Sequence, residues 1–391
     1  MSELYKLPDG WEWKKLENIS KKIFAGGDKP DKVSECKTDE LNIPIYANAV
    51  KNNGLYGYSN IYKVDEECIT ISARGTIGFT VVRNEKFFPI VRLIVLIPNE
   101  QVLSKILKYY LDYELVENTG SSIPQLTVPT VKELFFPLPP LEEQKRIVAK
   151  LDILFAKIDK AIDLHQKNID EADIFMASVL NDVFGELEEK YNKEKFDGIK
   201  TSNVIGLVRS VKEQSPSLQY QYVKMNNITN NNRFTFDNII NVDATDEEVR
   251  KFNLEKGDFL FNTRNSAELV GKSCIFDYDM KNILYNNNIM RVRFRDDISS
   301  YFVSYQFGCN YLKEQLENIK SATTNVAAIY YKTLKEIDVV IPPLQIQQKV
   351  VSYLDEISNK IEKIKQIQKE KMQSLKELKA SILDKAFKGE L

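Results

Sequence analysis

The sequence predicts an α+β protein: two α/β modules separated by a long antiparallel two-helix coiled coil, built as a pseudo-two-fold internal repeat. Three observations predict it. The stretch PPLEEQKRIVAKLDILFAKIDK at 139–160 recurs as PPLQIQQKVVSYLDEISNKIEK at 342–363, identical at 10 of 22 positions with an offset of 203. Each copy opens a run of apolar residues at alternating three–four spacing, the pattern of a coiled-coil seam. The segments before them alternate short β-like runs with Gly- and Asn-rich turns. At 391 residues the chain exceeds one ordinary core. Four segments follow: modules at 1–138 and 186–341, and helices at 139–185 and 342–391.

Both repeats read as helices. Pro139-Pro140 and Pro342-Pro343 stop a preceding strand and preset the first helical turn. Glu142 and Glu143 then suit the positive end of the helix dipole. In the first helix the seam runs through Val148, Leu151, Phe155, Ile158, Ile162, His165, Ile169 and Val179. The second keeps the rhythm through Leu354, Ile357, Ile361, Ile364, Leu375, Leu378 and Ile382, but Lys365 and Lys379 interrupt it and leave its register open. Residues 139–185 hold 6 basic and 9 acidic side chains, whereas 342–391 hold 10 and 7. Opposite net signs favour pairing of the two helices with each other. The first helix leads into the second module and the second helix leaves it, so paired helices must be antiparallel. The last helix then returns to the first module.

In the first module, strands are expected within 68–82 and 91–98 and a helix near 101–117. In the second, strands fall within 258–276 and 286–296, with a helix near 299–319. The modules share an outline and little sequence, as similar scaffolds with different faces would. Asn and Gln suit adenine edges in a major groove, Arg and Lys suit guanine, and hydroxyls and amides suit phosphates. The first module offers Asn48, Lys51, Asn52, Asn53, Tyr56, Arg74 and Arg83, with Ser121, Ser122 and Gln125 in a loop before the helix. The second offers Gln221, Lys224, Asn226, Asn227, Asn262, Arg264, Asn265, Lys272, Asn287 and Arg291, with Thr323, Thr324 and Asn325 in the matching loop. Asn runs also form turns, and alternating Arg is often the wet face of a strand.

Much is excluded. A net charge of −2 does not by itself announce a nucleic-acid binder. The single histidine, His165, falls on the seam and allows neither a multi-histidine metal site nor a histidine pair for proton transfer. The four cysteines are scattered without CxxC spacing. LVGKS at 269–273 lacks a phosphate loop's first glycine, for which Ser266 stands. No glycine-rich cofactor loop and no amino-methyltransferase signature of the N/D-P-P-Y/F type is found, so no catalytic residue, metal ligand or cofactor site is expected in this chain. The polar opening MSELYKLPDGWEWKK and strand-sized apolar runs predict a cytoplasmic protein without a membrane segment.

The chain resembles the specificity subunit of Type I restriction–modification enzymes. The resemblance rests on the two PPLxxQ helix starts with their LD…I…K continuations, the closing LKASILDKAFKGEL, the segment GDFLFNTRNSAELVGKS, and the opening LPDGWEWKKLENI. It implies two target-recognition domains, each reading half of a bipartite duplex DNA sequence, with the helices as spacer. It also implies two adenine-methylating modification subunits docked on the helices and restriction subunits in the full complex. S-adenosylmethionine, ATP and Mg would then be used by those partners. A pure scaffold joining two protein-binding modules, or a fused nuclease or methyltransferase, are the rival readings.

Overall fold

The computed structural model describes residues 5–117, 125–229, 231–322 and 326–391. The chain divides into two compact units, Met1–Gln166 with Lys369–Leu391, and Lys167–Gln368. No helix among the described residues is long and apolar enough to cross a membrane.

The first unit holds a four-stranded antiparallel sheet in the order Ser20–Ala25, Ile94–Pro98, Cys68–Ile71, Thr80–Arg83. Beside it lies a three-stranded sheet in the order Leu55–Ser59, Ile43–Tyr46, Phe88–Pro89, whose last pair is parallel. Glu12–Lys15 pairs with Phe135–Leu138 in a ribbon that ends at the first Pro-Pro. The inner strands CITI and IVLIP are β-branched and buried along nearly their whole length, which suits a sheet covered on both faces.

The second unit repeats these three sheets and adds a small one in the order Arg264–Asn265, Ala327–Ala328, Ser321–Ala322. Its four-stranded sheet runs Lys200–Ile205, Ile289–Phe294, Asp258–Asn262, Ser273–Phe276, and its three-stranded sheet runs Ile240–Val242, Tyr220–Val223, Ile283–Tyr285 with the last pair parallel. Lys193–Lys195 pairs with Asp338–Val340 before the second Pro-Pro. The expected helix near 101–117 is Ser104–Glu117. Its counterpart is broken into Ser300–Gln306 and Asn310–Ile319. The break has a tertiary cause: a Cβ on Gly308 would stand 2.9 Å from Leu180, and Asn181 Oδ1 accepts the Asn310 amide at 2.8 Å, capping the restart.

The long helices span Leu141–Lys190 and Leu344–Phe387. Their starts coincide at the offset of 203, but their ends do not, at 50 and 44 residues. The first continues because Leu187 is still buried in the second unit's core, whereas the second stops where Gly389 takes a left-handed backbone (φ 75°). In the first unit Arg146 donates to the Leu391 carbonyl and Lys379 pairs with Asp159. In the second Asn168 meets Gln368 and Lys365 pairs with Asp173. Within each unit the numbers rise on one helix as they fall on the other, so the pair is antiparallel. As the topology requires, the second helix returns to the first core: Phe387 is 1% exposed there, against Tyr110 and Phe136, as Phe184 is 0% exposed against Phe302 in the second.

The seam of the second helix is shifted from the expected register. Ile364 and Leu378 are 46% and 48% exposed, and their places are taken by Lys365 and Lys379. Lysine serves because its stem packs while its ammonium reaches an aspartate across the pair. Lys365 Nζ lies 2.7 Å from Asp173, and Lys379 Nζ lies 2.8 Å from Asp159 and 4.6 Å from the Phe155 ring centre. Leu151, Phe155, Ile158, Ile169, Val179, Leu354 and Ile361 are buried, while Val148, Ile162, His165, Ile357, Leu375 and Ile382 are half-buried.

One side chain explains why PPLxxQ is written twice. Gln144 is fully buried; its Oε1 accepts the Leu103 amide at 2.9 Å, and its Nε2 donates to the carbonyls of Gln101 (2.8 Å) and Pro139 (2.9 Å). Gln347 does the same with the Ser299 amide (2.8 Å) and the carbonyls of Asp297 (3.0 Å) and Pro342 (2.8 Å). Each amide spends both N–H groups and its oxygen in tying the long-helix start to the loop that opens the module helix. The Leu-Asp that follows repeats as well: Leu151 and Leu354 are fully buried, and Asp152 and Asp355 each accept a tyrosine hydroxyl at 2.6 Å, from Tyr109 and Tyr305. Replacing Gln144 or Gln347 by Leu strands one amide and two carbonyls, each costing about 1–3 kcal/mol. Either variant should melt several degrees lower by calorimetry; an unchanged midpoint would remove the clamp from the account.

Candidate nucleic-acid interface

In the first unit three turns are laced together at one end of the sheets. Asn48 Nδ2 donates to the Val91 carbonyl at 2.6 Å while its Oδ1 accepts the Ala73 amide at 2.8 Å. Asn48 is therefore a tie, and what it joins are the turns carrying Arg74 and Arg92, both exposed. Arg74 Nη2 reaches Gln125 Oε1 at 3.0 Å, which draws the loop before the short helix Val128–Glu133 to the same place. Val91 and Arg92 have positive φ, 52° and 59°, unusual for any residue but glycine and most of all for a β-branched one. Sequence reasoning missed Arg92, because only the folded tie through Asn48 sets it beside Arg74.

The third turn is Lys51–Gly54. Lys51, Asn52 and Asn53 are exposed, both asparagines are left-handed at φ 52°, and Tyr56 beyond them is 49% exposed. Asparagine tolerates this backbone better than most residues. Gly54 (φ 81°) is required: a Cβ there would lie 2.6 Å from the Ala47 carbonyl oxygen. Arg83 is not on the surface. It is 6% exposed, with its guanidinium 3.3 Å from the Tyr46 ring centre and Nη2 donating to the Asn53 carbonyl beneath the turn.

The second unit places its candidates in the same frame. Thr263 accepts the Ile329 amide as Ala73 accepts that of Leu126, both at 3.0 Å, so exposed Arg264 and exposed Arg74 occupy equivalent positions. Lys224 and exposed Asn226 sit on the turn after the strand Tyr220–Val223. Asn227 is buried and closes that turn: Oδ1 accepts the Lys224 amide at 2.9 Å, and Nδ2 donates to the carbonyls of Thr235 (3.0 Å) and Asp237 (2.9 Å). Asn265 and Asn287 are half-buried. Gln221 is half-buried with its Oε1 unpartnered, and Asn262 is fully buried with neither amide atom hydrogen-bonded to protein. Lys272 donates to the Ile228 carbonyl at 2.6 Å, and burial holds its ammonium below the usual lysine range. Arg291, 6% exposed, donates to the Asn253 carbonyl. Arg83 and Asn227 thus brace their turns from inside, Arg291 holds the Asn253 carbonyl, and Asn262 is buried without such a role. Ser121, Ser122, Thr323, Thr324 and Asn325 lie outside the described residues. Among the described residues no group of three or more His, Cys, Asp or Glu side chains could hold a metal ion.

Comparison with known proteins puts a family to this frame. The family described as "Type I restriction modification DNA specificity domain" matches the chain twice, over residues 8–172 and 206–371. The chain belongs to this family. The two matches follow the structural duplication, and they bear out the resemblance carried by the PPLxxQ helix starts. Among relatives, a protein described as a type I specificity subunit of Mycoplasma pneumoniae is 35% identical over 169 residues, 41% of this chain and 50% of that one. The EcoKI specificity subunit of Escherichia coli is 26% identical over 320 residues, 76% of this chain and 68% of that one. The chain spans about half the length of the Mycoplasma relatives it matches. A solved chain, from work on assembly and conformational transition of the type I R-M system, superposes with a TM-score of 0.70 at 19% identity, covering 99% of this chain and 100% of that one, and shows the same fold.

If the Asn227 amide fixes the turn that presents Lys224 and Asn226, Asn227→Ala strands the Lys224 amide and two carbonyls. That variant should exchange the 224–228 amides faster in hydrogen–deuterium exchange, while amides of the Asp258–Asn262 strand keep their protection. Equal exchange in the turn would show that the backbone holds it alone.

Proposed function

We propose that this chain is the non-catalytic, DNA sequence-recognition subunit of a type I restriction–modification complex. The modules at 1–138 and 186–341 each read one half of a bipartite duplex target. The observation that carries this reading is the duplicated frame with one exposed arginine at the same point of each copy, Arg74 and Arg264, amid side chains that otherwise differ. A shared scaffold with divergent tips suits two readers of different sequences. The exposed or half-buried polar residues carry base and phosphate contacts: Lys51, Asn52, Asn53, Tyr56, Arg74 and Gln125 in one unit, and Gln221, Lys224, Asn226, Arg264, Asn265 and Asn287 in the other.

The helices at 139–185 and 342–391 set the spacing and receive two modification subunits. Support comes from their outward faces. Leu164 (53% exposed) and Leu378 (48%) lie in the first unit, Phe175 (55%) and Ile367 (39%) in the second. The offset of 203 carries 164 onto 367 and 175 onto 378, so each unit presents an equivalent apolar pair, as two copies of one partner require. Methyl transfer with S-adenosylmethionine and ATP-driven restriction with Mg belong to the partners, and the complex works in the cytoplasm.

Methylome sequencing of cells carrying the chain with its partner subunits tests the reading. It should show one bipartite motif with adenine methylated in both halves; a continuous motif, or none, overturns it in favour of a scaffold. Arg264→Ala should relax the half read by the second module, with discrimination down about tenfold to a hundredfold at the affected base, and leave the other half intact. Inserting about one helical turn into both long helices should lengthen the unread gap by whole base pairs; an unchanged gap removes the spacer role. The near-neutral modules supply few phosphate contacts, so the isolated chain should bind DNA weakly at physiological salt.

A further inference from the structure

We infer that Arg83 is a positioning residue for sequence reading by the first unit: from beneath the sheet it fixes the left-handed Lys51–Gly54 turn that presents Lys51, Asn52 and Asn53. This rests on the proposal that the first module reads DNA.

Its four interactions converge from different directions. Nε donates to Thr70 Oγ1 at 3.0 Å on the neighbouring strand, and Nη2 donates to the Asn53 carbonyl. The Tyr46 ring lies against the guanidinium plane at 3.3 Å and the Phe87 ring at 5.8 Å. The Tyr46 hydroxyl is itself held by Glu85 at 2.5 Å, and burial with that hydrogen bond pushes its pKa up to about 12. A planar fork between an aromatic face and two acceptors has one orientation, which lysine's single ammonium cannot reproduce. The turn above needs such a strut. Two consecutive asparagines in the left-handed region store strain that a released chain would relieve. The backbone holds the turn by three hydrogen bonds, Asn53 N to the Val50 carbonyl at 3.0 Å, Ala47 N to the Gly54 carbonyl at 2.9 Å and Leu55 N to the Asn52 carbonyl, and leaves the Asn53 carbonyl to Arg83.

The second unit argues the same need by another route. The strand position equivalent to Arg83 is Phe276, fully buried among Phe234 and Tyr278, and offers no donor. There the corresponding connection is closed from within by Asn227. Two units that share a frame have each braced the connection between these two strands by different chemistry, which is expected if its placement matters and its sequence must vary.

The test uses the assembled complex with Arg83→Met, which keeps bulk in the pocket, and Arg83→Lys, which keeps charge. Partner co-purification reports assembly and methylome sequencing reports the motif. Arg264→Ala, run in parallel, identifies the half read by the second unit. Both Arg83 variants should assemble and methylate, with the second half unchanged and the first half degenerate, discrimination there falling about tenfold. An unrelaxed first half overturns the inference. So does loss of assembly, or of methylation at every site, in both variants, since Arg83 would then serve stability alone. A wild-type complex without a bipartite motif would instead defeat the underlying reading.

Discussion

Everything in this structure hangs from two buried amides. Gln144 and Gln347 each bind three backbone groups from two separate segments, and so decide where a long helix starts relative to its module. A buried amide with all its capacity used is directional as apolar packing is not. Leu151 and Leu354 supply burial one turn or two later, and the tyrosine–aspartate pairs at 152 and 355 add a second directional contact on the same helix face. Prolines, glutamine, leucine and aspartate recur at 203 residues because together they form a joint.

Along the helices the balance changes from direction to charge. The cross-helix pairs join aspartates of the first helix, Asp159 and Asp173, to lysines of the second, Lys379 and Lys365. Lys365 is nearly buried, and a seam that passes through a lysine needs an acid opposite to be tolerable. By the offset of 203, a second copy of the first helix would set Met176 and Ile162, not lysines, opposite Asp159 and Asp173, so the same contacts that weaken the seam also select the partner.

The repeat, the Pro-Pro boundaries, the antiparallel order and the sheet segments were legible in the sequence because each is written in local spacing. Where the reading departed from the structure, the cause was tertiary. Ile364 looks like a seam residue until Asp173 makes Lys365 the better one. The helix at 299–319 looks continuous, because nothing local marks the break at Gly308, where Leu180 packs close and Asn181 caps the restart at Asn310. Arginine and asparagine in a strand or turn carry no mark of whether they face water. Arg74 and Arg264 do; Arg83, Asn227 and Arg291 turn inward to hold backbone carbonyls. Arg92 carried no signal at all, since its neighbour Arg74 comes to it through a hydrogen bond from Asn48.

The return of the last helix has a consequence for how the protein comes into being. Ring contacts to Tyr110, Tyr113 and Phe136 wait for Phe387, and Leu383 and Ala386 fill the same core. The half of the molecule that leaves the ribosome first is therefore the half finished last. During the whole synthesis of the second half, that unfilled cleft is a sticky, half-built surface that the cell must shelter.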